Sequence, residues 1–410
     1  MQKLLVVLTL IGMCGLLNAG WETIGPCGGY MRSIVISPVD NNTLYATSYS
    51  SPTRVFKSTD AGFSWNEVGS FNSYNYCMTI SSTGVLYAAY YYYVYRSTNG
   101  GVTWTPSSGI TNTYIYDLEA HPTNPNIIYG CGRKYISTGN YAMTFLKSTD
   151  AGASWTTLDL VSGGYCYGYG VGVDPSNPDI IYCGGAGYTS TYEPKIFKST
   201  DGGATFSQVY SNTVGYYVYD VAVHPTNSNV VYACTYYDGI YRSTDGGSTW
   251  SKVSTYNYNY RLATSPADPN YVYCSGYAYF RRSTNAGLSW TAEEDGLCGS
   301  YNYGLTVNPT NSAMVFVANR AGVFKTTNSA SNWFLSSDGI ELGLPVVAAT
   351  AAPSNPTTVY CQVEDIGVYK TTDCGTEWNL CPSFSSCGDM CAIAIKYNDP
   401  DYVMAIEGLG

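Results

Sequence analysis

The chain has 410 residues, a formal net charge of −10, only 12% charged side chains, and tyrosine at 43 positions. An acidic balance of this size disfavours nucleic acid and anionic membrane surfaces as partners. The abundance of aromatic and β-branched residues argues for a folded chain rather than a disordered one.

The N-terminus carries a basic residue, Lys3, then an apolar run from Leu4 to Leu17, and ends in Leu17-Asn18-Ala19. This predicts a signal peptide over residues 1–19, cleaved after Ala19, and a secreted protein, extracellular or periplasmic, with no membrane insertion. Cys14 falls in that segment, leaving 13 of the 14 cysteines. Cys374, Cys381, Cys387 and Cys391 crowd together and are the expected site of a local disulfide. No Cys-x2-Cys pair exists, and His121 and His224 both precede proline in equivalent turns, so neither a metal nor a cofactor is expected.

From residue 20 onward one pattern recurs: an aromatic, a basic residue, Ser/Thr-Thr, an acid or amide, two mostly small residues, then Trp or Phe. The acid or amide falls at Asp60, Asn99, Asp150, Asp201, Asp245, Asn285, Asn328 and Asp373, at spacings of 39 to 51 residues. That period suits one four-stranded sheet per repeat. In the fifth repeat the strands read Tyr217 to Val223, Val230 to Cys234, Ile240 to Ser243 and Thr249 to Val253, with a Pro-turn after the first and the acid-containing turn between the last two. The expected fold is all-β: a β-propeller of four-stranded antiparallel blades, with eight complete repeats and a partial ninth. Gly20-Trp21-Glu22-Thr23-Ile24 reads as an isolated fourth strand that would complete the last blade, and Cys391 to Ile406 as the first two strands of the ninth repeat. The domain is assigned to 20–410, C-terminally incomplete, with a possible second propeller starting near 345.

The recurring unit resembles the Asp-box, Ser-x-Asp-x-Gly-x-Thr-Trp, and Ser243-Thr244-Asp245-Gly246-Gly247-Ser248-Thr249-Trp250 matches every position. Asn99, Asn285 and Asn328 depart at the acid, Phe206 at the aromatic, and the seventh copy replaces both glycines with Ser329-Ala330. The chain is thus similar to the Asp-box propeller proteins: sialidases, sortilin-type receptors and xyloglucanase-type glycoside hydrolases. The resemblance implies a propeller in which the box is a structural clip. It leaves open a ring of up to ten blades, as in sortilin-type receptors, or two seven-bladed rings, as in the xyloglucanase type.

Function is expected on the face opposite the boxes, where loops before the first strand and between the second and third emerge. Six consecutive repeats carry Tyr-x-Tyr there: Tyr74/Tyr76, Tyr114/Tyr116, Tyr167/Tyr169, Tyr217/Tyr219, Tyr258/Tyr260 and Tyr301/Tyr303. The inner members read as inter-blade packing. The outer ones, Tyr74, Tyr114, Tyr167, Tyr217, Tyr258 and Tyr301, together with Arg133 and Tyr192 from long crossings, are the predicted ligand-binding residues, suited to stacking on sugar rings or gripping a peptide. Asp117 and Asp220 occupy equivalent positions beside inner tyrosines. They are the candidate catalytic pair if the protein hydrolyses glycosides, with Asp238, Glu364 and Asp365 behind them. The Thr-Asp-x-Gly-Gly context of the xyloglucanase acid is missing; Pro26-Cys27-Gly28-Gly29-Tyr30-Met31-Arg32 precedes the first box instead. A sialidase arginine triad is not apparent either. The reading is an exported, non-catalytic propeller binding a glycan or protein ligand, with a polysaccharide-degrading glycoside hydrolase and a structural cell-surface or adhesion element as alternatives. Oligomeric state is not legible.

Overall fold

The computed structural model describes residues 28–340 except 189 and 215, together with 346–363, 367–375, 378–381 and 390–407. Among these residues there is no helix; eight four-stranded antiparallel sheets and one two-stranded hairpin account for the regular structure. The predicted signal segment and the stray strand at 20–24 lie outside the described residues.

Seven sheets, spanning 31–71, 77–106, 113–162, 167–211, 218–254, 259–292 and 304–335, form blades 1 to 7. In each, strand order follows chain order. The first strands pack against one another from blade to blade, and that of blade 7 returns to that of blade 1. The ring therefore closes after seven blades instead of continuing into the eighth repeat, and the seventh blade takes all four strands from 304–335. Second strands such as Leu44–Ser48 and Val231–Thr235 are buried along their whole length, because neighbouring blades cover both faces. The eighth sheet (346–380) and the hairpin (390–407) lie beyond the closed ring and pack on each other.

The Asp-boxes supply the interlock between blades. In the first, Asp60 Oδ1 accepts the Ser64 N–H at 2.9 Å and Oδ2 the Ser64 hydroxyl at 2.6 Å, while Ser58 Oγ accepts the Gly62 N–H at 2.8 Å. The asparagine boxes keep this geometry by reversing one bond: Asn99 Nδ2 donates to Thr103 Oγ1 at 2.8 Å, and Asn285 Nδ2 to Ser289 Oγ at 2.9 Å. The two residues after the acid adopt positive φ, even Ser329 (60°) and Ala330 (71°) where the glycines are gone. Five of these turns present a carbonyl to the preceding blade, whose basic residue donates to it: Lys147 to Gly202, Lys198 to Gly246, Arg242 to Ala286, Arg282 to Ser329, and Lys325 to Ala61 across the closure, all at 2.6–2.8 Å. The second glycine lets an aromatic ring press on the turn. A Cβ at Gly152 would sit 2.5 Å from Tyr87, and one at Gly62 would sit 2.8 Å from Phe316. The closing joint also holds Trp65, 2% exposed, whose Nε1 donates to Ser336 O at 2.7 Å.

Buried thiols meet across blade boundaries, Cys131 with Cys183 and Cys234 with Cys274, and burial raises the Cys183 and Cys234 thiols. Of the expected C-terminal group, Cys387 and the Cys391 side chain lie outside the described residues.

Candidate functional site: a tyrosine collar over the central channel

The inner tyrosines, expected as blade packing, stand in a ring over one end of the channel. Ring centroids are 5.6 Å apart for Tyr76–Tyr116, 5.0 Å for Tyr116–Tyr169, 4.6 Å for Tyr169–Tyr219, 5.3 Å for Tyr219–Tyr260 and 4.7 Å for Tyr260–Tyr303. The gap in blade 1 is filled by Arg32, whose guanidinium lies 3.5 Å from the Tyr303 centroid and 5.3 Å from that of Tyr76. Six tyrosines and one arginine thus make a closed collar of seven. Burial raises the phenols; Tyr116 and Tyr303 are each pushed up to about 12, so the collar is uncharged except at Arg32.

Arg32 carries a sequence signal that the Tyr-x-Tyr motif does not show. Counting back from the first-strand turn, it stands six residues before Pro38, where the other blades carry the inner Tyr, and Tyr30 stands eight before it, where they carry the outer one. The register, rather than the Tyr-x-Tyr motif, was the signal.

The outer tyrosines form a second tier over the blade junctions. Tyr74 and Tyr258 are exposed; Tyr114, Tyr167, Tyr217 and Tyr301 are half-buried. Tyr258 and Tyr301 sit at φ of 62° and 59°, and Tyr216, next to the outer Tyr217, at 61°, a backbone region bulky side chains rarely adopt. Arg133 lies among this tier, 4.4–4.9 Å from the centroids of Tyr114, Tyr141 and Tyr167, and donates to the Tyr167 hydroxyl at 2.8 Å. Tyr192 touches Tyr167, Tyr188 and Tyr217 and helps line a groove of about 430 Å³ with Tyr188, Tyr216, Val214 and Tyr237. Arg133 and Tyr192 therefore join the outer tyrosines of blades 3 to 5, whereas Tyr74 and Tyr301 stand further round the ring.

Below the collar lies a channel cavity of about 420 Å³ lined by first strands. Of the residues five before each turn, Ser33, Cys77, Asp117, Asp220, Arg261 and Gly304 line it, and only Gly170 does not. Asp117 and Asp220 share this cavity, and all four of their carboxylate oxygens are engaged. Arg261 reaches Asp117 Oδ1 at 2.8 Å and the Val171 N–H reaches Oδ2 at 3.0 Å. The Val221 and Leu262 N–H groups donate to Asp220 Oδ1 and Oδ2, each at 2.8 Å. Each aspartate thus bonds the main chain of the next blade. Desolvation raises both acids, Asp220 to about 7 against the opposing pull of Arg261. Glu119, two residues deeper, is open to the channel yet walled in by the blades; desolvation and the charges of Asp117 and Asp220 push it up to about 8. Sequence reading passed over Glu119 and Arg261. Of the weaker acid candidates, Asp238 pairs with Lys252 and accepts the Tyr241 hydroxyl, while Glu364 and Asp365 lie outside the described residues.

The Sortilin-Vps10 family model (sortilin, neurotensin receptor 3) matches residues 194–282. Over 255 residues the chain is 29% identical to xyloglucanase Xgh74A of Acetivibrio thermocellus, which covers 50% of this chain and 30% of that protein. The chain is a β-propeller similar in sequence to the sortilin and xyloglucanase proteins. A 131-residue stretch of the propeller is 34% identical to a xyloglucanase of Hypocrea jecorina, 30% of this chain and 15% of that one. The matched stretches thus span less than a third of the length of either curated relative. Among solved structures, YCF48 bound to D1 peptide superposes with a TM-score of 0.50 at 13% identity, covering 76% of this chain and 96% of that one, a likeness of fold. No helix among the described residues is long and apolar enough to cross a membrane.

Proposed function

We propose that this propeller is an exported, non-catalytic recognition protein that takes a glycan on its tyrosine-lined face. The observation that carries the reading is the two-tier aromatic surface, whose groove between Tyr188, Tyr192, Tyr216 and Tyr237 is wide enough for a sugar unit. Tyrosine rings offer flat apolar faces to the C–H side of a pyranose, and their hydroxyls hydrogen-bond its rim. Xyloglucan oligosaccharide is the probe of choice because the curated relatives are xyloglucanases. Isothermal titration calorimetry should show binding that is lost when Tyr216 and Tyr237 are both changed to Ala; full binding by the folded double variant would sink the reading.

Similarity to xyloglucanases and the raised acids of the channel favour a second reading, glycoside hydrolysis. Against it stand the occupied oxygens of Asp117 and Asp220, which resemble inter-blade ties more than a free acid and base. Reducing-sugar release from xyloglucan, abolished by Asp220→Asn, would establish the hydrolase instead. We also read 346–407 as the opening of a second propeller, which a longer reading frame with further boxes would support.

A further inference from the structure

We propose that the glycan held on this face bears carboxylate groups, as a uronic-acid polysaccharide does, and that Arg32 and Arg133 are the residues that select them. The inference rests on the glycan-binding reading above and names the class of sugar.

The protein carries a net charge of −10, yet its tyrosine face has cations with no anion to match. Arg32 and Arg133 have no carboxylate within salt-bridge reach among the described residues. The acids of the hairpins that rise on this face from blades 3 to 5 are already committed: Asp159 to Lys134 at 3.1 Å, Glu193 to Lys195 at 3.1 Å, and Asp238 to Lys252. In the channel beneath, Asp117 is bound by Arg261, which also opposes the charge of Asp220, pushed up to about 7, and Glu119, pushed up to about 8, is mostly protonated at neutral pH, so these acids do not outweigh the three arginines. The surplus on this face is therefore positive.

Both guanidiniums lie against tyrosine rings, Arg32 3.5 Å from the Tyr303 centroid and Arg133 4.4 Å from that of Tyr141. A guanidinium stacked by its face keeps its N–H groups at the edge, where a carboxylate is met in bidentate fashion. Their protein hydrogen bonds leave donors over. Arg32 Nε reaches Tyr76 O at 3.2 Å and an Arg133 terminal nitrogen reaches Tyr167 Oη at 2.8 Å, while Arg133 Nε is buried without any partner. An arginine in place of the seventh collar tyrosine is also a departure that packing does not require, since six blades pack with Tyr.

The test compares three probes by calorimetry on the full chain: an oligogalacturonide, its methyl ester of equal length, and a neutral xyloglucan oligosaccharide. The acid is expected to bind about tenfold more tightly than its ester at low salt, with the preference fading as salt screens it. Arg32→Gln with Arg133→Gln should abolish the preference, so that acid and ester bind with equal affinity. Arg32→Lys with Arg133→Lys keeps the charges and should retain part of the preference, which separates charge recognition from damage to the collar. Equal affinity for acid and ester, or a preference that survives the double Gln variant, overturns this inference. Binding of the neutral oligosaccharide alone overturns it while leaving the glycan reading intact; failure of all three probes overturns both.

Discussion

The two faces of the ring grow from the same repeat but use their polar groups differently. On the Asp-box face the blades spend the acid or amide and its hydroxyl partners on one recurring set of bonds, and in five of them the basic residue reaches a carbonyl of the next blade. On the tyrosine face the rings chiefly touch one another, and Arg32 and Arg133 rest among them without a counter-charge. Contacts that recur blade after blade build the ring; a single blade that breaks the pattern, as Arg32 does, is where individual chemistry enters. The lesson is to look for function at the exception to the repeat.

That contrast can be broken at its strongest point first. Trp65→Ala removes a buried side chain from the closing joint and should cost about 3–5 kcal/mol in urea unfolding; a loss below about 1 kcal/mol would mean that the boxes are not what holds the ring shut. Lys325→Met leaves the Ala61 carbonyl unpaired in the same joint and should cost about 1–3 kcal/mol, whereas the exposed Lys396 serves as a near-neutral control for removing a lysine.

Titration sharpens the comparison further. Glu119 has a folded pKa of about 8, above its unfolded value, so the native state holds the extra proton and stability falls as pH rises between about 4.3 and 8. Glu119→Gln should match the parent near pH 4 and be the more stable protein at pH 8 to 9; parallel melting curves across that window would contradict the placement. The boxes behave oppositely. Hydrogen bonds from the Ser154 and Thr249 hydroxyls and N–H groups hold Asp150 and Asp245 at about 2, so their contribution is whole above about 3.9 and is lost as pH falls through 2. Changing both to Asn, as three boxes already are, should flatten the acid decline of the melting temperature. A decline as steep as the parent's would assign it to other carboxylates. The smallest stability effect belongs to the other face: Tyr216→Ala with Tyr237→Ala should change unfolding by no more than about 0.5 kcal/mol while removing glycan binding.

Particular residues show how much was readable beforehand. The blade strands were visible because hydrophobic runs, Pro-turns and boxes recur at a near-constant period, and the fifth repeat's predicted strands fall on Val218–Val223, Val231–Thr235, Ile240–Ser243 and Ser251–Ser254 within one to two residues at most ends. The candidate site was half readable. The outer tyrosines stood out as a motif, but Arg32 was hidden because it departs from that motif, and Glu119 and Arg261 because nothing local marks a channel-facing position.

The sequence by itself determined the local units, since turn chemistry and strand alternation act over a few residues: a hairpin around each acid, an aromatic in each second strand, a tyrosine pair at each first-strand start. Tertiary structure alone decided how many units close a ring and which residues then meet. Closure depends on the small angle between neighbouring blades, a property of packed side chains accumulated round the whole circle. That accumulation brings Lys325 to Ala61, Arg32 to Tyr303, and Asp117 to Arg261 from a different blade, contacts that no spacing along the chain announces.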